Sequence, residues 1–109
     1  MEGIVDFNHW QKINLVVGKI ENVEEIEGAD KLWKLSVDIG SEKRTLCAGI
    51  KQYYSKEELM NKKIIVFKNL APRVMRGIES QGMLLAAVSK DNVVLISPEK
   101  DVEVGSSVS

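Results

Sequence analysis

The stretch KLWKLSVDIGSEKRTLCAGI, residues 31 to 50, contains two apolar runs separated by a short polar segment. In the first run every second residue from Trp33 is a large apolar one, namely Trp33, Leu35, Val37 and Ile39, and these alternate with Leu32, Lys34 and Ser36. A period of two is typical of a β-strand with one buried face. Gly40 and Ser41 lie between the runs, which favours a hairpin turn. The stretch therefore predicts two antiparallel strands.

The preceding segment, INLVVGKIENVEEI at residues 13 to 26, is rich in valine and isoleucine and predicts a further strand. We expect Leu15, Val17 and Ile20 to point to one face. Gly18 interrupts this strand, as glycine does where a strand bends or bulges. The turn EGAD then leads into the hairpin, so the first half of the chain predicts an antiparallel meander of three strands.

The following segment changes character at YYSKEELMNKK, residues 53 to 63. Ser55 stands three residues before Glu58, which is the spacing of a helix capping box. This predicts one short helix of about two turns that ends near Asn61. Three strand-like runs follow, KIIVFKNL, GMLLAAV and DNVVLISP, and we expect the polar tail from residue 99 onward to wrap the surface or pair at a sheet edge.

Three strands, one short helix and then two strands or more is the element order of an oligonucleotide-binding (OB) fold. The sequence therefore predicts an all-β protein, a five-stranded Greek-key OB barrel with one short helix and extra terminal segments, forming a single domain over residues 1–109. SH3-like barrels and small sandwiches have patterns that compete with this one.

Composition restricts the function. The formal net charge is -1, which argues against a uniform phosphate-coating surface but leaves a local basic patch open. Cys47 is the only cysteine and His9 the only histidine, so we expect neither an internal disulfide nor a metal site. No nucleotide-binding or hydrolase motif is present, so we expect no cofactor and no enzymatic activity. Without a signal peptide or an apolar run of roughly 20 residues, we expect a cytoplasmic protein with no membrane partner.

The stretch NLAPRVMRGIESQGMLLAA, residues 69 to 87, combines cations and glycines directly beside an apolar run. One interpretation makes Pro72 and Gly77 ordinary turn residues and leaves Arg73 and Arg76 as solvated surface charges. The other is a cationic RNA-binding face, because phosphate attracts arginine and lysine while glycine permits close backbone approach. The basic residues that support it are Lys62, Lys63, Lys68, Arg73 and Arg76, and only Glu79 opposes them nearby.

Three segments, VVGKI, ADKLWKLSVDIG and NLAPRVMRGIESQGMLLAA, resemble the tRNA-binding domain that is appended to methionyl-tRNA synthetases. The same domain occurs in free-standing tRNA-binding proteins and in the endothelial monocyte-activating polypeptide group. The resemblance runs from about Val5 to Val104, and RGIESQGM is its most specific part. It implies an OB fold that binds tRNA without strong discrimination between tRNAs.

The residues that match this pattern define a predicted site. We expect Arg73 and Arg76 to contact phosphates, with Lys68 and Lys31 as helpers. The other predicted contacts are hydrogen bonds from Asn69 and Ser80 to sugars or base edges, and an apolar contact from Met83. Spacing alone also allows Met83 to be a core residue. Ala71 and Val74 stand where the family often has basic residues, which implies weaker or more salt-sensitive binding.

The resemblance also implies partners. Free-standing members pair through segments at the ends of the chain, so we expect a homodimer. The resemblance also implies a factor that acts in trans on an aminoacyl-tRNA synthetase or associates with one, and we expect the methionyl enzyme as that partner. The alternative is a peptide-binding homodimer on the same fold, like an export chaperone, although that group lacks the Arg-Gly and Gly-Met elements found here.

Overall fold

The protein is described by a computed structural model that covers residues 2–109. Within these residues short helices flank a set of antiparallel strands. The elements are α1 (Phe7–Trp10), β1 (Leu15–Glu25), β2 (Trp33–Asp38), β3 (Lys43–Ala48), α2 (Lys56–Leu59), β4 (Lys63–Phe67), β5 (Arg73–Met75), β6 (Ile78–Ser80), β7 (Met83–Leu84), β8 (Ala86–Ser89), β9 (Asn92–Leu95) and β10 (Ser107–Val108).

The main sheet has the strand order β3-β2-β1-β4-β7, and β10 adds to the beginning of β1. β1 is long and changes partner along its length: its first half pairs with β4 and its second half with β2. The register shifts between Ile20 and Asn22, which is where a bulge bends the strand. This bend curls the sheet toward a barrel.

Contacts between β3 and the connection from β6 to β7 bring the two ends of the sheet together. The Gln81 backbone N–H donates to the Thr45 carbonyl at 2.8 Å, and the Thr45 N–H donates to the Gln81 side-chain oxygen at 3.1 Å. The Cys47 N–H donates to the Ser80 hydroxyl oxygen at 3.0 Å. These bonds, here called the seam, nearly close the barrel, and the predicted all-β OB barrel is confirmed.

The alternation in β2 gives the core its inner face, since Trp33, Leu35, Val37 and Ile39 are all buried. On β1, however, Ile20 joins Val16 in the main core, whereas Leu15 and Val17 belong to a separate cluster with Ile65. The predicted grouping of Ile20 with Leu15 and Val17 is therefore wrong, because residues an odd number of positions apart face opposite sides.

Gly18 is required for packing and does not form the bulge that its position in the sequence suggested. It lies in regular register opposite Ile64. A Cβ atom added there would lie 2.8 Å from a Val37 methyl carbon and 2.9 Å from a Val66 methyl carbon. Both contacts are too short for any side chain, so glycine allows β1 to pass close to its neighbours in the interior.

The helix after the meander is shorter than predicted. The capping box is present, because the Ser55 hydroxyl accepts from the Glu58 N–H and the Glu58 carboxylate accepts from the Ser55 N–H. The helix nevertheless makes only one turn, since Met60 has ψ 128° and Asn61 has a left-handed φ of 66°. Helix α1 was not predicted.

The predicted strand at residues 82 to 88 is divided in two. β7 pairs with β4, while β8 pairs with β9 in a separate hairpin. Between them the Leu85 N–H donates to the Ile65 carbonyl, and the Leu85 carbonyl accepts from Ile96. The predicted edge pairing of the tail is confirmed by β10, whose Val108 lies opposite Leu15.

Candidate nucleic-acid interface

The segment between the predicted strands KIIVFKNL and GMLLAAV, for which no strand was predicted, contains a hairpin formed by β5 and β6. Arg73 lies opposite Ser80 and Met75 opposite Ile78, which leaves Arg76 and Gly77 as a two-residue turn. Both turn residues have positive φ, 51° and 80°, as a type I′ turn requires. A Cβ on Gly77 would meet nothing within 4 Å, so glycine is used there for its backbone conformation.

One face of the hairpin packs on the barrel and the other faces solvent. Met75 and Ile78 contact a small buried cluster formed by Ile26, Ala29 and Cys47. On the outer face, Val74 lies opposite Glu79, and 67% of Val74 is exposed. The cluster therefore holds the hairpin against the loop between β1 and β2, with its turn at the surface.

The turn of the hairpin and that loop together form a concavity that contains two of the predicted cations. Arg76 and Lys31 both line it, and both residues are exposed. The remaining lining residues come from the loop, at positions 28 to 32. The structure thus brings together two cations that are distant in sequence.

The base of the hairpin contributes a second concavity. Lys68 and Asn69 line it, together with Arg44, Pro72 and Gln81 among others. The Asn69 side chain is tied to the N-terminal segment: its oxygen accepts from the Asn14 N–H at 2.7 Å and its nitrogen donates to the Lys12 carbonyl at 2.6 Å. One amide hydrogen and one lone pair of Asn69 remain available.

The predicted cations Lys31, Lys68, Arg73 and Arg76 form no ion pair within 4.0 Å with the residues that the structure describes, although Asp30 lines the concavity of Arg76 and Lys31, and the charge of Lys68 acts on Glu42. Among residues 2–109, the ion pairs within 4.0 Å use Lys43, Arg44, Lys51 and Lys63. None uses Lys31, Lys68, Arg73 or Arg76. Lys63 is paired with Asp101 at 2.7 Å at the opposite end of β4 from Lys68, so the basic cluster seen in the sequence is divided between two places.

Ser80 and Gly82 have structural roles. Ser80 is only 1% exposed, and its hydroxyl accepts from Cys47 and donates to the Gly82 carbonyl at 3.0 Å. The predicted RNA contact of Ser80 is therefore corrected, because its hydroxyl makes both of its hydrogen bonds inside the protein and belongs to the seam. A Cβ on Gly82 would lie 2.8 Å from the Phe67 carbonyl oxygen, which explains why a glycine stands at this position. Met83, half-buried, lies opposite Phe67.

Sequence reasoning missed Arg44. Its guanidinium donates to the carbonyl oxygens of Lys68 at 2.8 Å and Gln81 at 3.0 Å, and also to the Glu42 carboxylate. Hydrogen bonds and charge from Arg44 hold the pKa of Glu42 below its usual value. The two carbonyls are 24 and 37 residues away in sequence, so no local pattern could have revealed this contact.

No helix in the described part of the chain has the length and apolarity needed to cross a bilayer. Residues 2–109 also contain no group of three or more histidine, cysteine or acidic side chains arranged to hold a metal ion.

Comparison with known families identifies the chain. The model of the family described as "Putative tRNA binding domain" matches residues 15–107. The chain belongs to this tRNA-binding domain family. The resemblance carried by RGIESQGM is thereby confirmed. Methionine–tRNA ligase from Pyrococcus horikoshii is 51% identical over 104 residues, which cover 95% of this chain but only 14% of the ligase.

Solved structures agree. A MetRS-related protein from Pyrococcus horikoshii is 41% identical, with a TM-score of 0.91 and 99% of each chain covered. A CsaA chaperone protein from Picrophilus torridus is 31% identical, with a TM-score of 0.89, over 97% of this chain and all of that one (100%). This tRNA-binding domain therefore matches a small part of the ligase and the whole of two shorter proteins.

Proposed function

We propose that residues 1–109 act as one domain that binds tRNA largely without tRNA-type specificity, through the β5–β6 hairpin and the loops beside it. Family membership supports tRNA as the ligand. The exposed cations Arg73 and Arg76, with Lys31 near the turn and Lys68 at the base, supply phosphate contacts. Such contacts carry no sequence information, which accounts for weak discrimination between tRNAs.

The observation that carries this proposal is the placement of Arg76, which stands at the exposed turn of the hairpin and lines one concavity with Lys31. Type I′ turns favour asparagine or glycine at both central positions, yet Arg76 adopts φ 51° at the first of them. A non-glycine residue in this region costs about 1–2 kcal/mol. Lys90 adopts a similar φ of 47° in the turn of the β8–β9 hairpin, so the support for an external anion comes from the position of Arg76 beside Lys31 in one concavity, with no ion-pair partner in residues 2–109.

Two other predicted residues fit the same surface. Asn69 has free hydrogen-bonding capacity beside Lys68, where a ribose or base edge would lie. Met83 stands on β7 and exposes part of a soft, polarizable side chain suited to an apolar contact. Ala71 and Val74 are both exposed, so the two missing cations of the family pattern would have faced solvent.

We further propose a homodimer that acts in the cytoplasm in trans on a synthetase, or in association with one. The N-terminal segment supports pairing, because Ile4, Val5 and Phe7 are 62%, 68% and 68% exposed. Phe7 and Trp10 also line a groove with the terminal residues 107–109. Two linked sites raise the effective concentration at the second site, which compensates for few contacts per site. Molar mass from sedimentation tests the pairing.

A second candidate is a peptide-binding homodimer of the chaperone kind. The structural similarity to the CsaA protein supports it, as do exposed apolar residues of the β8–β9 region, Val88 at 73% and Val94 at 46%. Against it stand the unpaired cations, which a neutral peptide does not need.

A salt titration tests the main proposal. With about four phosphate contacts and a log–log slope of roughly -0.7 per contact, affinity for tRNA should fall about 50-fold from ~50 to ~200 mM salt. Arg76→Ala should weaken two unrelated tRNAs equally and flatten the slope by about 0.7. Lys100→Ala, which removes an exposed cation near Lys63, is the matched control and should change neither.

A flat salt response, or an equal loss in the Lys100 variant, would contradict the assignment. The chaperone alternative is decided in the same assay by competition. An unfolded polypeptide that displaces labelled tRNA from the hairpin surface would favour peptide binding there. Failure to displace it, combined with the expected salt slope, would favour tRNA.

A further inference from the structure

The side chain of Arg44 connects β3 to both ends of the segment that carries the hairpin. One of its terminal nitrogens, Nη1, lies 2.8 Å from the Lys68 carbonyl oxygen and 3.0 Å from the Gln81 carbonyl oxygen. The chain between these two carbonyls, residues 69 to 80, contains the whole β5–β6 hairpin. We infer that Arg44 is a positioning residue for tRNA binding: it fixes where Arg73 and Arg76 stand. This inference rests on the proposed function.

Arg44 extends the barrel ladder at the point where the ladder stops. The last pair between β4 and β7 is Phe67 with Met83. Lys68 follows Phe67 at the end of β4, and Gln81 stands two residues before Met83. Arg44 donates to the carbonyl oxygens of both Lys68 and Gln81, and so joins the two strands beyond their last pair. Both ends of the hairpin segment are thereby held to each other and to β3 by one planar group.

The guanidinium is itself held in place by Glu42. The Arg44 Nε lies 2.9 Å from one carboxylate oxygen of Glu42, and Nη2 lies 3.4 Å from the other. Four of the five N–H donors of an arginine are then engaged within the protein. The side chain is 20% exposed. Arg44 is therefore poorly placed to bind phosphate, and its effect on tRNA must be transmitted through the hairpin.

Only an arginine fits this arrangement. A lysine ammonium keeps the charge but is a compact point donor, whereas the guanidinium presents a rigid planar fork that reaches a carboxylate and two carbonyls together. Charge and geometry can therefore be separated by Arg44→Lys and Arg44→Gln. Lys43→Gln is the matched control, because Lys43 is the neighbouring cation on β3 and is paired with Glu21 at 2.7 Å, away from the hairpin.

Hydrogen exchange on the full-length chain without tRNA tests the structural step. Loss of charge-assisted hydrogen bonds in Arg44→Gln should speed amide exchange in residues 69 to 80 by about tenfold or more, with little change elsewhere. Lys43→Gln should leave these amides unchanged. Unchanged exchange at 69 to 80 in Arg44→Gln, or acceleration spread evenly over the chain, would overturn the inference whatever tRNA does.

Affinity for tRNA tests the functional step. Arg44→Gln should weaken tRNA binding about fivefold to tenfold. The tRNA affinity of Arg44→Lys should lie within about twofold of the affinity of Arg44→Gln. Full rescue by lysine would mean that the charge alone matters, and would overturn the inference. In an Arg76→Ala background the Arg44→Gln loss should shrink, because both act through one hairpin; full additivity would also contradict it.

The two proposals can fail separately. If Arg73→Ala and Arg76→Ala bind tRNA like the wild type, the hairpin is not the tRNA site, and the exchange data still decide whether Arg44 holds it. If Arg44→Gln does not fold, Glu42→Gln replaces it, since it removes the charge and one acceptor oxygen that hold the guanidinium while Arg44 itself remains. In Glu42→Gln, a smaller acceleration of amide exchange that is also confined to residues 69 to 80 supports the inference. The absence of any acceleration there overturns it.

Discussion

Replacing Ser80 by alanine should destabilise the barrel, because it opens the seam between β3 and the β6–β7 connection. The hydroxyl accepts from the Cys47 N–H at 3.0 Å and donates to the Gly82 carbonyl at 3.0 Å. Ser80 is 1% exposed, so water does not replace it easily. Alanine fills nearly the same space and leaves one backbone donor and one backbone acceptor without a partner.

The size of the effect follows from these two groups. A buried donor or acceptor that loses its partner costs about 1–3 kcal/mol. Two such groups predict a loss of about 2–6 kcal/mol in the free energy of unfolding. For a domain of this size a change of 1 kcal/mol moves the melting temperature by about 4 °C, so the expected drop is about 8–24 °C.

Urea unfolding followed by tryptophan fluorescence measures this loss. Trp33 is a suitable reporter, since it is buried in the core and its indole N–H donates to the Tyr54 carbonyl at 2.8 Å. Ser89→Ala, an exposed serine on β8, is the control and should change stability by less than about 0.5 kcal/mol. A Ser80 variant as stable as this control would refute the seam role. A loss of tRNA affinity with stability intact would instead restore Ser80 as an RNA contact.

Two further predictions concern buried positions. Gly82→Ala should cost more than Gly28→Ala, because a Cβ at Gly82 would lie 2.8 Å from the Phe67 carbonyl oxygen in the β4–β7 ladder. Gly28→Ala meets nothing within 4 Å and should cost only the ~1–2 kcal/mol of its left-handed φ. Equal losses of stability in urea would contradict the packing explanation. Burial raises the pKa of the Cys47 thiol. The unfolded chain then ionises first, so stability should be constant below the ordinary thiol range and fall as pH rises through it toward the folded pKa. Cys47→Ala should remove that part of the alkaline loss, and identical pH profiles for both proteins would disprove it.

The parts of the fold that the sequence predicted are those set by local periodicity. Period-two alternation identified β2 and its inner residues, and the serine–glutamate spacing identified the helix cap. The hairpin β5–β6 was missed because its strands have three residues each, too few to show a period. The break at Leu85 was missed for a different reason: it depends on hydrogen bonds to Ile65 and Ile96, which an apolar run does not reveal.

The residues of the candidate site also differ in whether the local sequence indicates their role or whether that role depends on distant contacts. Charge, exposure and the arginine–glycine turn are local properties, so Arg73, Arg76 and Gly77 could be chosen from the sequence. The direction of the Ser80 hydroxyl is not local, since it is decided by pairing with Cys47 across the seam. Arg44 lies in a run that reads as an ordinary strand, and its role depends on two carbonyls brought together by the barrel.

The segment RGIESQGM therefore contains two kinds of residue with different structural roles. Ser80 and Gly82 close the barrel, and a protein could keep both while losing tRNA affinity. Arg76 is the opposite case, because it contributes nothing to the seam and adopts a backbone conformation that costs free energy. Since one fold can carry different functions, the proposed tRNA contact at the hairpin turn can be tested separately from the barrel that supports it. Exchanging only the turn should move affinity for tRNA while the seam, and with it the stability, stays in place.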